Sequence, residues 1–324
     1  MGEPGKLLGR FPREDFPQKR ACKVCGHEAS YLLSIYNEHG EPQLLDLFLC
    51  PHCGLLFVGN PITLDQLAYA YGTLDWKKYY QEIAIATGGK VACAVNDLYS
   101  LFSNPGDRDS VLDVGCGYGH FLEVFKGSRP FVRVAGHELQ GEPASACEAK
   151  GFKVFTCNLE EISDKFDLIV LLDVAEHVPD PNRTFAACHS LLKMGGHIYI
   201  HTPRRCFWDS FFLVMAKIPG MRQMSKAWLR TRVSIFHLQL WTDRALELSL
   251  KMAGFQLVYL KPELELSWPL EKYSRIYLGE KLSVPAPLVR MATSIADLLF
   301  VRLGTLKNKA ICLGQRKESR DSFV

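Results

Sequence analysis

Between Ser110 and His201 short apolar runs alternate with mixed segments at a regular pitch. The runs are Ser110–Asp113, Val132–Gly136, Lys153–Thr156, Phe166–Leu172 and His197–His201. Phe166–Leu172 is almost continuously apolar, as expected of a strand buried on both faces. The segments between them carry helical spacing. One helix opens at His120, another spans Glu142–Lys150 and is closed by Gly151, and a third spans Phe185–Leu192 and is stopped by Gly195-Gly196. This alternation predicts an α/β fold with a doubly wound parallel sheet. Lys90–Phe102 reads as a helix leading into the first strand, ended by the Asn104-Pro-Gly106 turn. Downstream, Thr242–Ala253 reads as a helix with Thr242 at its N-cap and Gly254 at its stop. A strand then begins at Phe255, and Asn308–Gln315 reads as the last strand.

The flanks depart from this rhythm. Residues 1–20 are polar and proline-bearing. Tyr31–Tyr36 and Leu44–Leu49 alternate as two hairpin strands around Asn37–Gly40, and Leu64–Tyr71 has helical spacing, followed by Trp76, Tyr79 and Tyr80. The α/β rhythm breaks again over Arg204–Leu240, and Leu264–Leu303 is a second helical region. The expected organisation is a flexible N-terminus to residue 20, a ribbon over 21–60, and a helical linker or cofactor cover over 61–105. A core over 106–316 follows, with a lid insertion at 204–240 and a helical region at 262–305, then a tail over 317–324. Tyr71, Tyr79 and Tyr80 suit either a cover over a ligand or simple packing on the sheet.

The cysteines change the picture of the ribbon. Cys22-x-x-Cys25-Gly and Cys50-x-x-Cys53-Gly are two matching knuckles on either side of the predicted hairpin. Two such pairs place four thiolates for tetrahedral Zn²⁺, and four protein ligands leave no open position for a reactive water, so the metal is expected to be structural. A pair of redox C-x-x-C motifs is the competing reading. His27 and His52 are expected beside the metal, not on it. Eleven cysteines without an N-terminal apolar leader point to thiols and metal ligands in preference to disulfides, and to a cytoplasmic location.

The loop after the first predicted strand carries the most chemistry. Asp113 is followed by Gly115, Gly117 and Gly119, and a helix then begins. The third glycine lies two residues after the second, whereas dinucleotide-binding loops place it three after. Asp113-Val-Gly-Cys-Gly-Tyr-Gly119 resembles the first motif of class I S-adenosylmethionine (SAM)-dependent methyltransferases, and Asp173-Val-Ala-Glu-His-Val-Pro-Asp-Pro181 resembles their fourth. Within that family the likeness is to the branch with a zinc ribbon and Glu-His, which includes quinone and glycan O-methyltransferases. The resemblance covers roughly Ser110–Phe255, with Thr202-Pro203 and His237-Leu-Gln-Leu-Trp-Thr242 as further matches. It implies a Rossmann-like seven-stranded sheet with SAM bound by Asp113, Gly115, Gly117, Gly119, Glu138, Asn158, Leu159 and Asp173. Glu138 would receive the ribose hydroxyls, and Asn158 and Leu159 would frame the adenine.

Methyl transfer to an oxygen or nitrogen requires loss of a proton, which a histidine near neutrality can accept. His177, His201 and His237 lie at the expected acceptor mouth, with His177 the first candidate and His237 the second. A divalent ion on Asp173, Glu176 and His177 is a further option. The lid holds Lys217, Arg222, Lys226, Arg230 and Arg232 with no acid between Asp209 and Asp243, interleaved with aromatic and apolar residues. That mixture suits an anionic amphiphile or an anionic membrane surface, or else a helical cap with a solvated basic face. Hydrophobic content of 48%, charged content of 23% and a net charge of +3 are ordinary for a globular enzyme and do not call for nucleic acid. The expected function is methyl transfer to a small-molecule, glycan or lipid-linked acceptor. A protein or RNA methyltransferase docking through the ribbon, or a non-catalytic SAM-binding scaffold, are the alternatives.

Overall fold

The strands form where the apolar runs predict them, and the flanking segments use both of their faces. The computed structural model describes residues 17–37, 43–72, 91, 94–98, 109–139, 141–264 and 307–317. In chain order β1 is Lys19–Ala21, β2 Glu28–Asn37, β3 Gln43–Leu49 and β4 Leu56–Val58, followed by α1, Leu64–Gly72. The core runs β5 Ser110–Val114, α2 His120–Ser128, β6 Arg133–His137, α3 Gly141–Ala149, β7 Lys153–Phe155, β8 Phe166–Leu172, α4 Pro181–Leu191 and β9 Leu192–Pro203. Then come α5 Phe207–Met215, α6 Arg222–Leu229, β10 Gln239–Leu240, α7 Asp243–Met252, β11 Phe255–Glu263 and β12 Lys309–Arg316. Trp76, Tyr79, Tyr80, the 104–106 turn, most of the 262–305 region and residues 318–324 lie outside the described residues.

The larger sheet has seven strands in the order β11-β12-β9-β8-β5-β6-β7. Neighbours from β9 through β7 pair in parallel, and β12 runs antiparallel between β9 and β11. The sheet is therefore mixed, with its parallel part where the βα alternation is clearest. The carboxyl ends of β5, β6, β8 and β9 share one edge with the amino end of β12, because Lys309 pairs with Pro203. Ligands of open α/β sheets bind at that edge. The glycine pair Gly195-Gly196 does not separate helix from strand. It lies in a bulge of β9, between Leu192, paired with Phe166, and His197, paired with Leu168.

The smaller sheet departs further from expectation. Its order is β1-β2-β3-β4-β10, so the end of the 204–240 insertion is a fifth strand of the ribbon, with Gln239 opposite Phe57 and Leu240 opposite Leu56. The two-residue periodicity of a strand places alternate side chains on opposite faces. Leu45, Leu47, Leu56 and Val58 pack with Leu213, Leu229, Val233 and Ile235 of the insertion. Phe48 and Phe57 pack in the same cluster as Phe185, Trp241 and Leu246 of the core. The ribbon sheet is thus sandwiched between core and lid. Fully burying one such aromatic side chain contributes about 1.5–3 kcal/mol. The lid's buried apolar residues face the ribbon, while Phe207, Phe211, Val214, Ile218, Met221 and Met224 remain exposed.

Candidate functional site

At one end of the ligand-binding edge, the glycine loop is stitched to β6. The backbone N–H groups of Gly115 and Cys116 both donate to the His137 carbonyl, at 2.7 and 3.1 Å. Gly117 N–H donates to the Glu138 carboxylate at 3.0 Å, just past the end of β6. Gly119 sits at φ 77° as the N-cap of α2, and a Cβ there would come within 2.7 Å of the Cys147 sulfur. Gly115, at φ 72°, is equally closed to a side chain, since its Cβ would meet Val174 at 2.6 Å. Both positions combine a left-handed backbone with a close neighbour, which only glycine accommodates. Asp113 is buried at the end of β5, Asn158 opens a short 3-10 turn, and Leu159 is buried in that turn. Apart from Asp173, the residues expected around SAM gather at the ends of β5, β6 and β7. Their carboxylates and tight loop suit a cationic nucleoside cofactor and would repel a pyrophosphate.

Asp173 stands at the other end, where it differs from its expected neighbours. Its backbone is left-handed at φ 54°, unusual for a side-chain-bearing residue. Its Oδ1 accepts from Lys309 Nζ at 2.7 Å and from His201 Nδ1 at 3.0 Å. Lys309 is only 8% exposed. Glu176 is wholly buried. Its Oε2 accepts from Thr202 Oγ1 at 2.9 Å, and its Oε1 lacks a hydrogen-bond partner among the described residues. Burial pushes this carboxyl above the usual range. That Oε1 lies 3.7 Å from His177 Nε2.

The His177 ring is held from outside the seven-stranded sheet. Its Nδ1 hydrogen-bonds to the Phe236 carbonyl and lies 3.0 Å from the Tyr71 hydroxyl. A carbonyl can only accept, so Nδ1 carries a proton, and in the neutral form of the ring the lone pair is at Nε2. His237 meets His177 edge to face, with ring centroids 4.9 Å apart. Desolvation, followed by the charges of His177 and Lys309, pushes His237 down to about 3. His237 is therefore a neutral imidazole across the physiological range.

The expected metal option at this end is rearranged. The ligand atoms that cluster within 4.8 Å belong to Glu176, His177 and His237, while Asp173 is engaged by Lys309 and His201. In the ribbon, Cys22, Cys25, Cys50 and Cys53 bring their sulfurs within 4.8 Å of one another, with Cys22–Cys53 and Cys25–Cys50 both at 3.6 Å. Tetrahedral zinc with bonds of about 2.3 Å needs sulfurs roughly 3.8 Å apart, so the cluster is compatible with zinc. His27 and His52 stack beside it with centroids 3.7 Å apart.

Both knuckles face the core. Asn182 donates to the carbonyls of Lys23 and Val24, Thr242 to that of Cys53, and Arg205 to that of Gly54. The basic lid also reads differently in three dimensions. Arg204 makes a two-pronged pair with Asp243, at 2.7 and 2.8 Å, and Arg232 pairs with buried Asp209 at 3.0 Å. Asp209 and Asp243, the acids that bound the acid-free stretch, thus take up Arg232 from within it and Arg204 from just before it. Lys217, Arg222 and Arg230 are exposed, and Arg222 reaches the Leu32 carbonyl.

Lys309, Gln239 and Phe236 were not anticipated. Lys309 had a signal, a single cation at the head of the apolar run Ala310–Leu313. Phe236 acts through its backbone carbonyl and had none. Tyr71, ambiguous in sequence, belongs to the His177 side.

A family model described as a methyltransferase domain matches residues 88–260. The ubiquinone biosynthesis O-methyltransferase of Pseudomonas paraeruginosa is 32% identical over 109 residues, 30% of this chain and 45% of that protein. The protein of the same description from Vibrio atlanticus is 29% identical over 115 residues, 32% of this chain and 48% of that protein. The chain spans less than half the length of these curated relatives. A solved SAM-dependent methyltransferase from Archaeoglobus fulgidus is 20% identical with a TM-score of 0.46, covering 73% of this chain and 99% of that one. That last likeness is low and adds nothing about the chemistry. The seven-stranded mixed sheet, its glycine loop and the span of the family match agree: the chain belongs to the methyltransferase-domain family.

Proposed function

We propose that this protein transfers the methyl group of SAM to an oxygen of a small-molecule acceptor, with His177 as the base. The observation that carries this reading is the placement of two different chemistries on one sheet edge. A tight glycine loop with carboxylates stands at the ends of β5 and β6. A cluster of buried Glu176 and Lys309 with half-buried His177 and His237 stands at the ends of β8, β9 and β12. The cofactor supplies an electrophilic methyl group on a sulfonium. Glu138 and Asp113 would bind its polar groups, and Leu159 would cover the base. His177 Nε2 would accept the acceptor's proton, 3.7 Å from the Glu176 carboxyl. Neutral His237 and the Lys309 ammonium would orient the acceptor oxygen and favour its ionised form. Sequestering these groups from bulk water strengthens each interaction. The O-methyltransferase relatives support oxygen over nitrogen.

Quinone-like phenols, glycans and lipid-linked acceptors all fit this chemistry. The exposed apolar residues Phe207, Val214, Ile218 and Met224, with Lys217 and Arg230 among them, support contact between the lid and an anionic membrane surface. Among the described residues no helix is long and apolar enough to cross a membrane. Docking of a macromolecule through the knuckles finds less support, because their carbonyls already bind the core. The test is calorimetry with SAM and S-adenosylhomocysteine, followed by turnover of labelled SAM against catechol, glycan and polyprenyl-phenol acceptors. Saturable SAM binding with methylation of a hydroxyl is the expected result. Absence of SAM binding, or labelling confined to protein or RNA, overturns the reading.

A further inference from the structure

We propose that the metal-holding ribbon is the positioning device for His177, acting through Gln239 and Tyr71. This inference rests on the reading of His177 as the base. The loop that bears His177 follows β8, yet its backbone is held by the ribbon sheet. Gln239, in the ribbon's fifth strand, is fully buried, and its side-chain amide donates to Ala175 O at 2.6 Å and to Val178 O at 2.9 Å. Leu238 N–H donates to Glu176 O at 2.8 Å, and Leu238 O accepts from Val58 N–H of β4, also at 2.8 Å. Three of the loop's carbonyls are therefore bound by two consecutive residues that themselves pair with β4.

A second connection reaches the ring itself. The chain leaves β4 and within a few residues enters α1, whose last turn brings the Tyr71 hydroxyl to 3.0 Å from His177 Nδ1. Phe236, which accepts the Nδ1 proton, lies three residues before Gln239 and packs on Tyr71 with ring centroids 5.1 Å apart. Strand β4 is anchored at its start by the second knuckle, since Cys50 N–H donates to Leu55 O. From the sulfur cluster to His177 Nδ1 the path therefore runs through paired backbone on one side and one short helix on the other. Positioning of this kind matters because a displacement of about 1 Å at a reacting group can cost about 10²-fold in rate.

The direct readout is the tautomer of His177, followed by ¹⁵N NMR of the ring nitrogens in the full-length, zinc-loaded protein. Gln239→Met retains volume and removes the amide, and Tyr71→Phe removes only the hydroxyl. In wild type, Nδ1 should be the protonated nitrogen. Gln239→Met, and wild-type protein stripped of metal with a chelator, should lose that single-tautomer signature while binding S-adenosylhomocysteine with wild-type affinity, whereas Tyr71→Phe, which leaves the Phe236 carbonyl in place, should keep it. The kcat of Gln239→Met should fall about 10²-fold, with KM for SAM unchanged. Retained cofactor affinity shows that the core is folded. If Gln239→Met does not fold, the metal-stripped protein decides the matter. An unaltered His177 tautomer after metal removal overturns the proposal. The base assignment fails separately: His177→Asn with wild-type turnover removes it whatever the spectra report.

Discussion

The two ends of the ligand-binding edge are built in opposite ways. The proposed cofactor end is local: the end of β5 runs straight into the loop to Gly119, joined by the His137 carbonyl and the Glu138 carboxylate at the end of the very next strand. The proposed acceptor end is assembled from α1, the loop after β8, the end of β9, the lid, the ribbon's last strand and the head of β12. A local site can keep its shape while distant parts loosen. An assembled site needs every contributor in place, and two of its contributors are tied to the sulfur cluster.

Loss of metal should separate the two ends most sharply. Folding free energy from a structural zinc site is on the order of 10 kcal/mol. Cys50→Ser should therefore abolish hydrogen-exchange protection in β2–β4 and β10, and leave β5, β6 and β8 protected. Uniform loss of protection across both sheets would show that the ends are one cooperative unit. Glu138→Ala probes the local end. It removes charge-assisted hydrogen bonds and should weaken SAM binding by about 1.5–3 kcal/mol in calorimetry, with the His177 tautomer untouched.

A smaller effect concerns pH. His237 titrates at its ordinary 6.5 when unfolded and is pushed down to about 3 in the fold. Between these values the unfolded chain takes up a proton that the folded chain refuses, so stability declines as pH drops below about 6.5. Denaturant melts at pH 7.5 and 5.0 should show a smaller pH dependence in His237→Gln than in wild type. An identical pH dependence would mean that His237 lies in a wetter setting. The smallest expected effect is at the lid surface, where each cation near anionic lipid contributes about 1 kcal/mol, reduced by salt. Lys217→Gln with Arg230→Gln should lower sedimentation with anionic vesicles. Equal sedimentation of wild type with neutral and anionic vesicles would remove the electrostatic part of the membrane reading.

The same contrast explains what was legible in the sequence. The strand ends of the core, the cysteine knuckles and the cap of α7 were readable because each is set by neighbouring residues. Thr242 accepts from Ala245 N–H as its position predicted. The membership of β10 in the ribbon was not, since a two-residue strand has no periodicity to detect. Nor was the role of the lid's arginines, because Arg204 and Arg232 are paired with acids 39 and 23 residues away in sequence. Those partners bracket the acid-free stretch, and linear charge patterning cannot tell a bracket from a solvated face.

Strand β4 carries a consequence for synthesis of the chain. The knuckles and the hairpin between them are complete by Cys53, so metal can be loaded early. Yet the outer edge of β4, with its apolar Leu56-Phe57-Val58, is covered only when Gln239 and Leu240 arrive. An uncovered apolar edge is a template for pairing with another chain. The nascent ribbon is therefore an unfinished sheet until that strand arrives. Fragments ending before residue 239 should self-associate through β4, and chaperone contact should concentrate on that interval.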